Sequence, residues 1–307
     1  MFLTVILPIL FLVLIGYLSV NWGLLTPEQI KSLGTFVMKV TLPAFLLHAL
    51  LGQTFEEVWK PKYFLLYGMG SLIVFFVSYY VIKHFFHQRL TSAVIFSFGS
   101  AMSNTGLIGT AIVPMVVGKD AVAYLAQTIL FESLILTTLV LFLTDSHAYE
   151  KTAFPIFIKK VVYNALHSPL VLSILIAFSC LFLEVSLPTV LDETFEVLGQ
   201  AAAPVALFMI GGGLAGIKVK HLDGLALCPV VFKVLLMPIM IFVLFYIFSE
   251  DREMMRIATL IAVLPMPTLF QVLGHIYGIE KRAINACILS TVIGLFLAST
   301  LIFLWWS

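Results

Sequence analysis

The sequence predicts an all-α integral membrane protein of about ten transmembrane helices in two inverted five-helix repeats. Three observations predict it: an apolar composition, ten stretches of spanning length, and a repeat in the placing of prolines. Of 307 residues, 61% are hydrophobic and 11% charged, and the mean hydropathy is +1.11. A soluble domain carries about a quarter charged residues, so these charges are too few to cover a water-facing surface. The bilayer is the solvent that suits such a chain. A net charge of +1 offers no basic surface for nucleic acid. Cys180, Cys228 and Cys287 sit in apolar runs without metal-ligand spacing and read as small apolar fillers. No metal or cofactor is expected.

In chain order the apolar stretches fall at 2–20, 31–50, 63–82, 92–117, 121–144, 166–185, 194–215, 225–248, 256–278 and 282–305. The first has no basic leader and no cleavage motif before Asn21, so it reads as a retained span rather than a signal peptide. Lys39 dilutes the second; Glu193, Glu196 and Gln200 dilute the seventh. Five stretches fall in 1–150 and five in 151–307, the two expected repeats. Lys60, Lys62, Lys119, Arg252 and Arg256 lie on the side of the N-terminus. The other side carries Lys31, Lys83, Arg89, Lys151, Lys159, Lys160, Lys218, Lys220, Lys281 and Arg282, with the central loop at 145–165 among them. By the positive-inside rule that second side is cytoplasmic, and both termini face out of a plasma (inner) membrane.

A shift of 161 positions lays Pro8 on Pro169, Pro27 on Pro188, Pro43 on Pro204 and Gly52 on Gly213. A repeat of five spans is odd, so its second copy must lie upside down. Inverted repeats are typical of secondary transporters. The same shift lays Asn104, in the fourth stretch, on Pro265, in the ninth.

Both places read as helix breaks. In Ser103-Asn104-Thr105-Gly106 the polar side chains compete for backbone hydrogen bonds, and Asn is a strong N-cap. In Pro265-Met266-Pro267 two backbone donors are missing, and Pro267 suits the first turn of a new half-helix. Each second half would aim unpaired amides and a positive dipole end at mid-membrane, which favours an anion. Asn104, Thr105, Gly106, Pro265, Met266 and Pro267 are therefore the candidate substrate-binding residues. Lys39 either faces this cavity and attracts an anion or snorkels to the interface; Lys233 is expected to snorkel. Glu132, mid-span in the fifth stretch, reads as a proton carrier or a structural counter-ion. Pro43 and Pro204 are expected at hinges or packing positions, beside the small residues Ala201–Ala203 and Gly211–Gly213.

Val40-Thr41-Leu42-Pro43-Ala44-Phe45-Leu46, Asn104-Thr105-Gly106-Leu107-Ile108-Gly109 and Ala203-Pro204-Val205-Ala206-Leu207-Phe208-Met209-Ile210-Gly211-Gly212, with Pro265, resemble the auxin efflux carrier family. The likeness spans essentially the whole chain. It implies ten spans with broken, crossing spans 4 and 9, where substrate binds. It also implies a scaffold of spans 1, 2, 6 and 7, often dimeric, and a moving domain of spans 3–5 and 8–10. Bacterial relatives include carriers of malonate, malate and similar carboxylates. The long central loop of plant members is absent, and Lys39 stands where a neutral residue is expected. The function expected is secondary transport of a small mono- or dicarboxylate. The alternatives are a ligand-binding sensor on the same fold, or a carrier of a neutral or amino-acid-like solute. A phosphate-binding loop and hydrolase signatures are missing, so neither a pump nor an enzyme is expected.

Overall fold

The computed structural model describes residues 2–144, 153–215 and 223–306, and all regular structure among them is helical. The helices are α1 (Phe2–Asn21), α2 (Pro27–Leu51), α3 (Phe55–His84), α4 (Leu90–Val117), α5 (Ala121–Thr144) and α6 (Ala153–His167). They continue with α7 (Pro169–Phe182), α8 (Thr189–Leu214), α9 (Gly224–Phe248), α10 (Arg252–Ile276) and α11 (Glu280–Trp306). Eight of them, α2–α5 and α8–α11, are long and apolar enough to cross a membrane. The pair Phe157–His167 and Pro169–Phe182, bent by 89°, makes a ninth if counted as one span. The apolar part of α1, Leu7–Asn21, is shorter.

These helices start where the sequence supplies caps. Thr26 and Thr54 each form a reciprocal capping box, with Gln29 and Glu57. Asp223 and Asp251 accept from Ala226 and Met254 amides at 2.9 Å each. Gly118, at φ +105°, ends α4 in a conformation closed to most side chains. The connection 145–165, expected as a loop, contains α6 instead. Ser168 caps α7 directly behind it and Pro169 occupies the first turn, which turns the chain sharply. Residues 145–152, including Lys151, and residues 216–222, including Lys218 and Lys220, lie outside the described set.

Small residues set the tightest packing. A Cβ on Gly16 would collide with the Phe208 carbonyl, and one on Gly211 with the Val13 carbonyl, so α1 and α8 touch backbone to backbone. Pro204 lies in the first turn of the second half of α8, just after a turn at Ala201. Large apolar side chains such as Phe11, Phe76, Phe296 and Phe303 remain on the outside, as a lipid-facing surface allows.

Four helices contain a wide π-helical turn: Val37–Thr41 in α2, Thr105–Gly109 in α4, Phe131–Leu136 in α5 and Phe232–Leu236 in α9. In α2 and α9 a proline follows at once. Pro43 and Pro238 lack an amide, and the preceding Leu42 and Met237 donate instead to Val37 and Phe232. Lys39, Glu132 and Lys233, all deep within apolar helices, sit in these turns, where π geometry often marks function.

Candidate functional site at two helix breaks

The first half of α4 ends at Ala101, and Met102–Asn104 run non-helical before the second half begins at Thr105. The first half of α10 ends at Val263, Leu264–Pro267 are non-helical, and helix resumes at Thr268. The two breaks touch: the Asn104 amide donates to the Pro265 carbonyl at 2.8 Å. A Cβ on Gly109 would lie 3.1 Å from the Leu264 side chain, and one on Gly294 of α11 2.9 Å from the Val263 carbonyl. At Gly294 the neighbour is backbone, so a larger residue there would force the break of α10 to shift.

The amides of Thr105, Gly106 and Leu107 find no acceptor among the described residues, and neither do those of Thr268 and Leu269. These are the free donors a helix start must leave. Asn104 precedes its half-helix but makes no side-chain capping bond, against the expectation from its type. Its backbone, at φ −81° and ψ 55°, leaves the side chain to other partners. Pro267 likewise sits one place before the first turn rather than in it. Thr105, Pro265, Met266 and Pro267 are buried, and Gly106 is half-buried.

Beside the breaks lies a network of charge. The Ser103 amide donates to Glu132 Oε1 at 2.8 Å, and Lys233 Nζ donates to Ser103 Oγ at 2.6 Å and to the Ala262 carbonyl at 2.9 Å. Tyr67 reaches Ser103 Oγ at 3.3 Å. Thr105 Oγ1 lies beside the same carboxylate but completes no hydrogen bond to any described group. Lys233 is 0% exposed and Glu132 1%. Lys233 thus does not snorkel: its stem turns inward, because two oxygen acceptors there, Ser103 Oγ and the Ala262 carbonyl, solvate its ammonium better than a long reach through lipid. The Glu132 carboxylate attracts it through Ser103 rather than by direct contact. Lys39 is exposed on α2 and takes part in no hydrogen bond or ion pair among the described residues. Its neighbour Met38 is the one that faces Gly106. Pro43, half-buried, follows the π turn of α2.

A cavity of about 1270 Å³ opens between α2, α4, α7 and α8 at the end carrying the loops near Gln53, Lys119 and Ser186. Thr110, Ala111 and Pro114, one to two turns beyond Gly106, form part of its wall. His48 and Asp192, also in the wall, are joined at 2.8 Å. Sequence reasoning named Glu132 and Lys233 singly but missed that Ser103 joins them. The signal was two opposite charges deep in apolar stretches, which rarely stay unpaired.

Broken helices that meet inside an apolar bundle, next to a cavity, describe a membrane carrier. The profile of the membrane transport protein family matches residues 1–304, and the chain belongs to that family, the auxin efflux carrier family read from its motifs. It is 26% identical over 290 residues to the "Putative malonate transporter" of Rhizobium meliloti (strain 1021), covering 94% of this chain and 90% of that one. It is 22% identical over 296 residues to the "Uncharacterized transporter YfdV" of Escherichia coli (strain K12), covering 94% and 92%. The protein is therefore a transporter by family and a membrane protein by composition and fold.

Proposed function

We propose that the protein is a secondary transporter of a small organic anion, a mono- or dicarboxylate of the size of malonate or malate. It works by alternating access at the meeting of α4 and α10. The observation that carries this reading is the Asn104–Pro265 contact, which sets the starts of two half-helices at one point. The free amides of Thr105–Leu107 and of Thr268 and Leu269 supply donors and positive dipole ends for a carboxylate. The name of the Rhizobium relative supports the same substrate class.

In this reading the chain has ten spans in two inverted halves, 1–150 and 151–307, with both termini outside. The cavity beside Thr110 is then the outward approach. Spans α1, α2, α7 and α8 form the scaffold, held by the glycine contacts of α1 and α8, and a homodimer is compatible with it. The remaining spans move, carrying both breaks and the Glu132 network. Lys39 adds long-range attraction for the anion, and Glu132 carries the coupling proton.

Purified protein in sealed vesicles tests this. A carrier accumulates radiolabelled malonate or malate inside, more so under an imposed proton gradient. Binding without accumulation supports a sensor on the same fold, and conversion of the solute supports an enzyme.

A further inference from the structure

At the two breaks, three backbone groups that a regular helix would pair internally are met by side chains of other helices. In an unbroken α4 the Ser103 amide would meet the Gly99 carbonyl, and in an unbroken α10 the Met266 amide would meet the Ala262 carbonyl. Instead Ser103 donates to Glu132, and Met266 donates to Ser290 Oγ at 3.2 Å. The Ala262 carbonyl, stranded at the negative end of its half-helix, accepts from Lys233. The same ammonium donates to Ser103 Oγ. A carboxylate on α5 and an ammonium on α9 thus close one open backbone end from each break, with Ser103 shared between them.

A carbonyl oxygen, a hydroxyl oxygen and a nearby carboxylate form the oxygen-donor set that suits a hard cation. Here that place is filled by a cation the chain itself provides. We propose that the Lys233 ammonium is a built-in counter-cation of the crossing, standing where a cation-coupled carrier would take up sodium, so that this protein needs no metal cation to assemble its anion site. Lys233 is a positioning residue: it holds the two breaks together and does not touch the substrate. Its charge offsets that of Glu132, which leaves the free helix-start amides to meet the substrate's own charge. The anion site rests on the function proposed above, whereas the cation position rests on the Ser103 and Ala262 contacts.

Thermal unfolding without any carboxylate tests the cation position separately from the transported solute. Wild-type protein is compared in sodium, potassium and choline chloride at equal ionic strength. The expected midpoints agree for all three salts. Lys233→Ala opens the place, and sodium or methylammonium should then raise its midpoint in a saturable way, by about 3 °C at tenfold the dissociation constant. Lys233→Met, which keeps the space filled, should show no such rise. A wild-type midpoint that climbs with sodium over choline overturns the proposal, and that comparison needs no variant to fold. A Lys233→Ala protein indifferent to both small cations overturns it as well.

Discussion

The Asn104 amide and the Pro265 carbonyl are hydrogen-bonded at 2.8 Å, so each helix break closes on the other rather than on itself. The bond uses backbone atoms only, and it separates two kinds of substitution at residue 104. Asn104→Pro removes the donor and leaves a buried carbonyl short of a partner, a loss of about 1–3 kcal/mol before any clash of the ring. The expected outcome is a lowered unfolding midpoint and no uptake. A midpoint equal to that of the wild type would mean that the contact contributes nothing to the fold.

Glu132→Gln keeps an oxygen acceptor for the Ser103 amide but cannot gain or lose a proton. Uptake by the variant should lose the proton-gradient dependence of the wild type, with a flattened pH profile. Uptake rates are to be read across pH 5 to about 8, the range where coupling carboxylates and imidazoles act. An unshifted profile would make Glu132 a structural counter-ion alone.

Lys233 and Glu132 should be energetically coupled. Truncating one member of a buried charged pair typically costs about 3–5 kcal/mol, because the other is left uncompensated. Lys233 and Glu132 are linked through Ser103 rather than in direct contact, so Lys233→Met alone should lose no more than the lower end of that range. Lys233→Met with Glu132→Gln should lose clearly less than the sum of the single losses. A double-mutant cycle read by chemical unfolding checks it. Strict additivity would mean that Ser103 does not link the two.

The α1–α8 contact offers a comparison within one run of glycines. A methyl group on Gly211 meets the Val13 carbonyl, whereas one on Gly213 meets nothing within 4 Å. Gly211→Ala should destabilise by roughly 1–3 kcal/mol through overpacking, and Gly213→Ala should be neutral or slightly stabilising through helix propensity. Equal midpoints for the two variants would contradict the close approach.

Outside the spans, Asp223 caps α9 and pairs with Arg282 Nη2 at 2.7 Å. Partial burial pushes its carboxyl up, but hydrogen bonds from Arg282 and Ala226 outweigh this and hold it below the usual range. A folded-state value below the unfolded one gives stability that is present above the ordinary carboxylate pKa and lost as pH falls through the folded value. Asp223→Asn, which still caps, should therefore match the wild type at acid pH and fall slightly behind near neutrality. Unfolding midpoints of both proteins across that range check it.

Much of the fold was legible because hydropathy and spanning length are local properties. Eight of the ten apolar stretches correspond to helices long and apolar enough to cross a membrane, α2–α5 and α8–α11, with ends displaced by up to about eight residues. The first and sixth fall on the shorter apolar helices α1 and α7. The breaks were legible for the same reason, since Pro265 and Pro267 cannot lie in a regular helix and Ser103–Gly106 gain little from one. The inward turn of Lys233 was not. Distance along the sequence to the interface allows snorkelling, and only the tertiary packing that brings α4, α5, α9 and α10 together offers it a better partner. The π turns were hidden likewise: the prolines after Val37–Thr41 and Phe232–Leu236 hint at two of them, but Phe131–Leu136 has no proline behind it. Helix α6 went unread because its stretch follows a polar, charged connection and carries Lys159 and Lys160.

An anion site at the meeting of the two breaks is tested most directly by Asn104→Ala. This variant keeps the backbone bond to Pro265 and removes only the side-chain amide, so its unfolding midpoint should match the wild type. Calorimetric titration of both detergent-purified proteins with a panel of mono- and dicarboxylates is the measurement. The prediction is that at least one carboxylate binds the wild type and binds Asn104→Ala about tenfold more weakly, the worth of one hydrogen bond to a charged group. Equal affinity in the two proteins, or no carboxylate binding to the wild type, would contradict an anion site at the breaks.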